Sequence, residues 1–341
     1  MTDDSLILDI EEHPFAQYVR ILGKGKKGSR SLSETEAYDA MSMILQGQAL
    51  DLQIGSFLML LRVKEESPEE LSGFVKAVKA NIQTPDSIEV DLDWSSYAGK
   101  RRHPPWFVFS VCLLAQMGFR VFIHGASGHT TQRMYTEDVF RRLGLPVCND
   151  WDDCSEQLDN TGLSYAPLRT FSPVLAEMID MRSILGLRSP VHSLARLINP
   201  LDAPNVLQGI FHPPYSHLHQ QAAQKLGYSN LAVIKGEGGE IERNPDNAIT
   251  VYHCRNKELA EEHWPALFPR RHVKPVEISI KHMINVWEGT TDDEYAVAAV
   301  TSTTALALRL MNGSTTQEQA TKQAEEAWHA RDTSRFSMRS P

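Results

Sequence analysis

Val121-Phe122-Ile123-His124-Gly125-Ala126-Ser127-Gly128-His129-Thr130-Thr131 is the stretch that decides the fold class. An apolar, β-branched run leads into a polar loop punctuated by glycine. This is the pattern of a buried strand that ends at the carboxyl edge of a parallel sheet, where open α/β folds place their ligand sites. On its upstream side Val108, Val111, Leu114 and Met117 recur at helical spacing, and a helix is expected from Tyr135 to Leu143 downstream. Further upstream, Ile88, Val90 and Leu92 alternate with polar residues, which predicts a strand from Asp86. Strand–helix–strand–helix order implies a mainly parallel sheet with right-handed crossovers.

Beyond this centre, Leu231-Ala232-Val233-Ile234 reads as another buried strand, ending in Lys235-Gly236-Glu237-Gly238-Gly239. Residues 170–198 look helical, a last amphipathic helix spans Glu294 to Leu310, and only the final dozen residues look loose. No internal repeat is evident.

The first 80 residues have a different period. Residues 5–20 read as an amphipathic helix with Leu6, Leu8, Ile10, Phe15 and Tyr18 on its apolar positions. A loop of four cations follows, Lys24, Lys26, Lys27 and Arg30, loosened by Gly23, Gly25 and Gly28. Ser33 and Glu36 have capping-box spacing, and Ala37, Ala40, Met41, Ile44 and Leu45 continue the helix to Gly47. Another helix begins near Asp51, carrying Ile54, Phe57, Leu58 and Leu61. Ser67-Pro68-Glu69-Glu70 opens a third, with a serine cap, proline at the first position and acids in the first turn. To about Asn81 the chain is a compact helical unit.

The 341 residues, 42% apolar and 23% charged, are enough for two packed units with a sizeable core. No apolar run is long enough to span a bilayer, and the acidic N-terminus lacks a secretion signature, so a cytoplasmic location is expected. Four irregularly spaced cysteines read as reduced and structural. His212, His217 and His219 cluster without a carboxylate at ligand spacing, which reads as loop polarity rather than a metal site. A net charge of −9 argues against coating nucleic acid by bulk charge, though it leaves room for a local basic groove. Ser95 to Pro105 supplies such a run, with Lys100, Arg101, Arg102 and His103. Each basic run taken singly is better explained as a solvated loop.

Several segments carry a family resemblance. Leu32-Ser33-Glu34-Thr35-Glu36-Ala37, Met43-Ile44-Leu45-Gln46-Gly47, Gln53-Ile54-Gly55-Ser56-Phe57-Leu58-Met59 and Pro68-Glu69-Glu70-Leu71 belong to the helical unit. Arg182-Ser183-Ile184-Leu185-Gly186-Leu187-Arg188-Ser189 and Asn199-Pro200 continue it downstream. Together they resemble the anthranilate phosphoribosyltransferase family over roughly residues 15 to 330. The resemblance implies an α/β protein with a small N-terminal helical domain, residues 1–82, and a larger α/β domain, residues 85–335. Helices near 170–195 would pack with the former. It also implies a homodimer joined through the helical domain.

The departures from the family concern its chemistry. Its glycine-rich GTGGD turn, whose backbone N–H groups hold a pyrophosphate, corresponds to Ser96-Tyr97-Ala98-Gly99-Lys100-Arg101-Arg102-His103, with one glycine and three Lys/Arg cations. Its KHGNR loop survives as Ile123-His124-Gly125-Ala126-Ser127. Its metal-binding Asp-Glu pair aligns with Ile241-Glu242, with Glu240 as a substitute carboxylate. A family asparagine is His192, a Gly-Pro is Ala195-Arg196, and Arg188 matches an arginine that contacts the anthranilate carboxylate. Phosphoribosyl transfer needs a metal clamp and phosphate donors for its leaving group.

Such losses resemble those of bacterial paralogues thought to bind nucleic acid. The expected sites are therefore a nucleic-acid or phosphate surface of Lys24, Lys26, Lys27, Arg30, Lys100, Arg101, Arg102 and Arg196. A cleft of His124, Gly125, Ser127, Arg182, Arg188 and His192 would adjoin it, with Tyr97 or Trp106 available to stack on a base. No catalytic residue is assigned. Binding of nucleic acid needs no cofactor; a residual transferase with an altered substrate, the alternative, would use Mg²⁺ held by Glu240 and Glu242.

Overall fold

The computed structural model describes residues 11–85, 87–275 and 277–336. Seven strands form one sheet: β1 (Leu92–Ser96), β2 (Val121–Gly125), β3 (Leu163–Pro167), β4 (Asn205–Ile210), β5 (Asn230–Lys235), β6 (Ile249–Arg255) and β7 (Glu258–Trp264). Their order is β3-β2-β1-β4-β5-β6-β7. The first five are parallel, and β6 and β7 add an antiparallel hairpin at one edge. The chain winds from β1 outward to β3, then returns to the other side of β1 as β4. That reversal opens a crevice beyond the carboxyl ends of β1 and β4.

Both faces of the sheet are covered, so its parallel strands are buried without alternation. Phe122, Val206, Leu231 and Val233 face a core shared with the helical unit, while Trp94, Ile123, Leu207 and Ile234 face a second core. Helices Glu34–Leu45, Asp51–Lys64 and Pro68–Asn81 build the first layer, joined by Leu175, Met178 and Ile179 from the 170–195 region. Helices Phe107–Gln116, Ile280–Glu288, Glu294–Met311 and Gln317–His329 build the second. The two capping boxes, Ser33 with Glu36 and Ser67 with Glu70, are both formed. Glu70 is fully buried and also accepts from the Leu32 N–H, fastening the loop before helix Glu34–Leu45 to the start of helix Pro68–Asn81.

Several expected boundaries shift. The first strand occupies Leu92–Ser96, so Ser95 and Ser96 belong to it, whereas Ile88 and Val90 are buried in the lead-in and Asp86 lies outside the described residues. The first described helix is Ala16–Gly23, and residues 5–10 of the expected helix also lie outside them. Pro173, Gly186 and Pro190 divide the 170–198 region into short helical pieces. An additional helix, Gln317–His329, follows the one expected to be last, started by a Thr316–Gln319 capping box. All four cysteines are free and buried.

Candidate functional site

Glycine allows the strand ends at the crevice to close together. A Cβ on Gly125 would lie 2.1 Å from the Ser96 carbonyl oxygen, and one on Gly236 would lie 1.6 Å from the Glu240 carbonyl oxygen. The loop after β5 therefore folds directly over the turn after β1, bringing Glu240 and Glu242 against residues 96–107. Glu240 accepts from the Ala98 and Gly99 N–H groups and, at 2.8 Å, from the Ser96 hydroxyl. Glu242 receives the Lys100 ammonium at 2.6 Å and the Phe107 N–H at 3.0 Å. Lys100 is 1% exposed and Glu242 is fully buried. Burial raises the Glu242 carboxyl pKa, an effect opposed by Lys100.

These contacts correct two expectations. Lys100 is spent on an internal carboxylate and does not face a bound phosphate. Glu240 and Glu242 have their oxygens engaged by protein donors, and among the described residues no group of three or more His, Cys, Asp or Glu side chains is placed to hold a metal ion. The residues here do not fit Mg²⁺; the tethered ammonium already neutralises the deepest carboxylate.

His124 was expected in the open cleft, but it is fully buried between Tyr97, 2.7 Å from Nδ1, and Asp93, 3.3 Å from Nε2. Tyr97 and Trp106 are buried as well, so neither can stack on a ligand. Ser127 turns toward Glu137, which is held by Arg141 and Arg169. Arg196 is buried, donating to the Gly209 and His192 carbonyls. Arg30 is paired with Glu36. Lys24, Lys26 and Lys27 are exposed, but Lys24 borders a groove against helix Asp51–Lys64 rather than the crevice.

The crevice has two compartments. The larger, about 650 Å³, is lined by seven cations, Lys100, Arg101, Arg102, Arg133, Lys235, Arg271 and Lys274, against two carboxylates, Glu237 and Asp246. With Lys100 committed to Glu242, six cations remain, and none of the six lies within ion-pair distance of a carboxylate among the described residues. Asp246 is occupied by His272. Sequence reading found Arg101 and Arg102 but missed Arg133, Lys235, Arg271 and Lys274, which come from three separate segments.

The smaller compartment, about 130 Å³, is lined by Arg62, Arg188, Ser189, His192, Arg196 and Phe211, among others. Arg182 and Arg188 tie down the loop after β2 by donating to the His129 carbonyl at 2.8 Å and the Thr130 hydroxyl at 3.2 Å. Burial and the neighbouring Arg133, Arg196 and Arg182 push the Arg188 pKa down to about 10. Such crowding of like charge is a standing electrostatic cost, which an anion would relieve.

The same field acts on histidines. Burial, then Arg188, lowers the His129 pKa to about 4; burial lowers His219 to about 3. Because both folded values lie below the unfolded value of 6.5, the native state resists protons that the unfolded chain accepts. Stability is full above about pH 6.5 and falls as pH drops toward 4, with His129 alone accounting for on the order of 3 kcal/mol. Urea unfolding at pH 7, 5.5 and 4.5 should show this fall. His129→Gln, which retains a donor to the Tyr97 carbonyl, should flatten it; an unchanged slope would rule out His129 as a source.

Comparison with known proteins places the chain among others of the same build. Residues 17–81 match the model of the glycosyl transferase family helical bundle domain, and residues 108–331 match that of its a/b domain. An uncharacterized protein of Aquifex aeolicus is 29% identical, covering 74% of this chain and 76% of its own. An anthranilate phosphoribosyltransferase of Cupriavidus metallidurans is 27% identical, covering 68% of each. The solved anthranilate phosphoribosyltransferase of Saccharomyces cerevisiae, in complex with PRPP and Mg, superposes with a TM-score of 0.75 at 18% identity, covering 95% of this chain and 96% of that one.

Proposed function

Because this chain belongs to the glycosyl transferase family and has the fold of the anthranilate phosphoribosyltransferases, we propose that it keeps the family scaffold but uses the crevice to hold nucleic acid. The observation that carries this reading is the larger compartment, where six cations lack carboxylate partners among the described residues. Phosphates along a strand are the repeated anions that such a row neutralises, with an affinity set by counterion release and little dependence on sequence. Lys24, Lys26 and Lys27 offer a further exposed contact surface. A metal clamp for a departing pyrophosphate lacks support, since Lys100 fills the Glu242 site and Glu240 accepts from the backbone.

Two measurements test the proposal. A single-stranded oligonucleotide titrated at 50 and 200 mM salt should bind, and bind much more weakly at the higher salt. Protein mixed with phosphoribosyl pyrophosphate, anthranilate and Mg²⁺ should release no pyrophosphate above background. Binding that ignores salt would overturn the first part. Turnover on the order of 1 s⁻¹ or faster would overturn the second and favour an active transferase.

A further inference from the structure

Phe211 is the first residue after β4, at the point where the winding of the sheet reverses, and it lines both compartments of the crevice. Phe211 is 54% exposed, whereas Tyr97 and Trp106, the aromatics offered by the sequence for stacking, are buried and Tyr215 in the smaller compartment is half-buried. His212 packs edge-on against it with ring centroids 4.9 Å apart, leaving the phenyl ring supported but open. A lone exposed phenylalanine needs no explanation. One set between a cationic cleft and a small polar pocket does.

The pocket has unspent polar atoms. His192 is 5% exposed, and its Nδ1 lies 3.2 Å from the Ser189 carbonyl oxygen. That contact requires a proton on Nδ1. With burial and the neighbouring His129 and Arg188 holding the ring neutral, Nε2 is left as an acceptor. Among the described residues neither Nε2 nor the Ser189 hydroxyl has a hydrogen-bond partner, although both residues line the pocket. Buried orphan acceptors are uncommon and point to a missing donor.

We infer that Phe211 is a stacking platform for an unpaired base of a single strand, whose phosphates lie along the larger compartment and whose base edge faces His192 and Ser189. This rests on the nucleic-acid reading above and names its substrate class. A duplex keeps its bases stacked inside and cannot present one to the ring, whereas a single strand can turn one out. Phosphate alone would account for the cations but not for an exposed ring beside an empty acceptor.

The test compares a single-stranded 12-mer, the same sequence as a duplex, and a 12-unit abasic strand of equal charge. Each is titrated against wild type, Phe211→Ala and Phe211→Tyr at one salt concentration. Stacking is worth about 1–3 kcal/mol per base, so Phe211→Ala should weaken single-strand binding by roughly 5- to 150-fold. Duplex and abasic affinities should stay unchanged, and Phe211→Tyr should bind as wild type does. Equal losses for all three ligands, no loss for the single strand, or wild type binding the abasic strand as tightly as the 12-mer would overturn the stacking role while leaving nucleic-acid binding intact. No binding of any of the three by wild type would instead remove the reading on which it rests. The ring is exposed, so these variants leave the core undisturbed.

Discussion

Replacing Arg101, Arg102, Arg271 and Lys274 together by alanine should lower affinity for a single-stranded oligonucleotide by roughly 100-fold or more at 50 mM salt. All four side chains are exposed and line the larger compartment. If each neutralises one phosphate, losing four contacts should reduce the slope of log affinity against log salt by about 3, at about 0.7 per contact for single strands. The melting temperature should hardly move, because exposed cations without ion-pair partners contribute little to the folded state. A loss under about threefold, or an unchanged salt slope, would place the binding surface elsewhere, with the 24–27 lysines the next to examine. Because contacts to phosphate carry no sequence information, the loss should be similar for different base compositions.

Lys100→Met should produce the largest change in stability, about 3–5 kcal/mol. The substitution leaves Glu242 buried with the Phe107 N–H as its remaining donor among the contacts described. A buried carboxylate without its cation is costly to ionise, so it takes up a proton. The folded carboxyl pKa would then lie further above its unfolded value. Its stabilising contribution would be present at low pH and lost as pH rises through the folded value, so Lys100→Met should lose more stability at pH 8 than at pH 5. Adding Glu242→Gln should recover much of the loss, since the amide oxygen still accepts from Phe107 and carries no charge to bury. Chemical denaturation of the two single variants and the double variant gives the coupling. Additive losses, or an effect below about 1 kcal/mol, would mean that Lys100 and Glu242 do not depend on each other.

The same pair shows where sequence reading stops. The capping box at Ser33–Glu36 and the serine cap at Ser67 were legible because each is written within four residues, and the backbone needs nothing else to form them. β2 was legible because an apolar run ending in glycine is local too. β1 was misregistered because Leu92-Asp93-Trp94-Ser95-Ser96 is buried at all five positions, Asp93, Ser95 and Ser96 included, so polarity no longer marks the buried face. Lys100 looked like a phosphate ligand because it stands in a basic run, Lys100-Arg101-Arg102, at the place of the family's phosphate-binding turn, and its true partner is 142 residues away. Phe211 had no local signature, whereas Arg271 and Lys274 stand in a basic run, Arg270-Arg271-His272-Val273-Lys274, that sequence reading passed over. Only the order of the strands brings them to one crevice.

The hairpin β6–β7 ends the sheet with a strand whose outer backbone groups have no neighbour in the sheet order. Most of β7 is exposed, and Glu258 and Glu261 are its exposed carboxylates, while Glu262 is paired with Arg309 and His253. A second chain adding itself there as an eighth strand would have to approach this pair of like charges, which disfavours edge-to-edge growth into larger aggregates. The carboxylates would also repel a nucleic-acid backbone. If the crevice holds a polyanion as proposed, the sheet repels it at the lateral edge and draws it to the carboxyl end, which favours one orientation of approach.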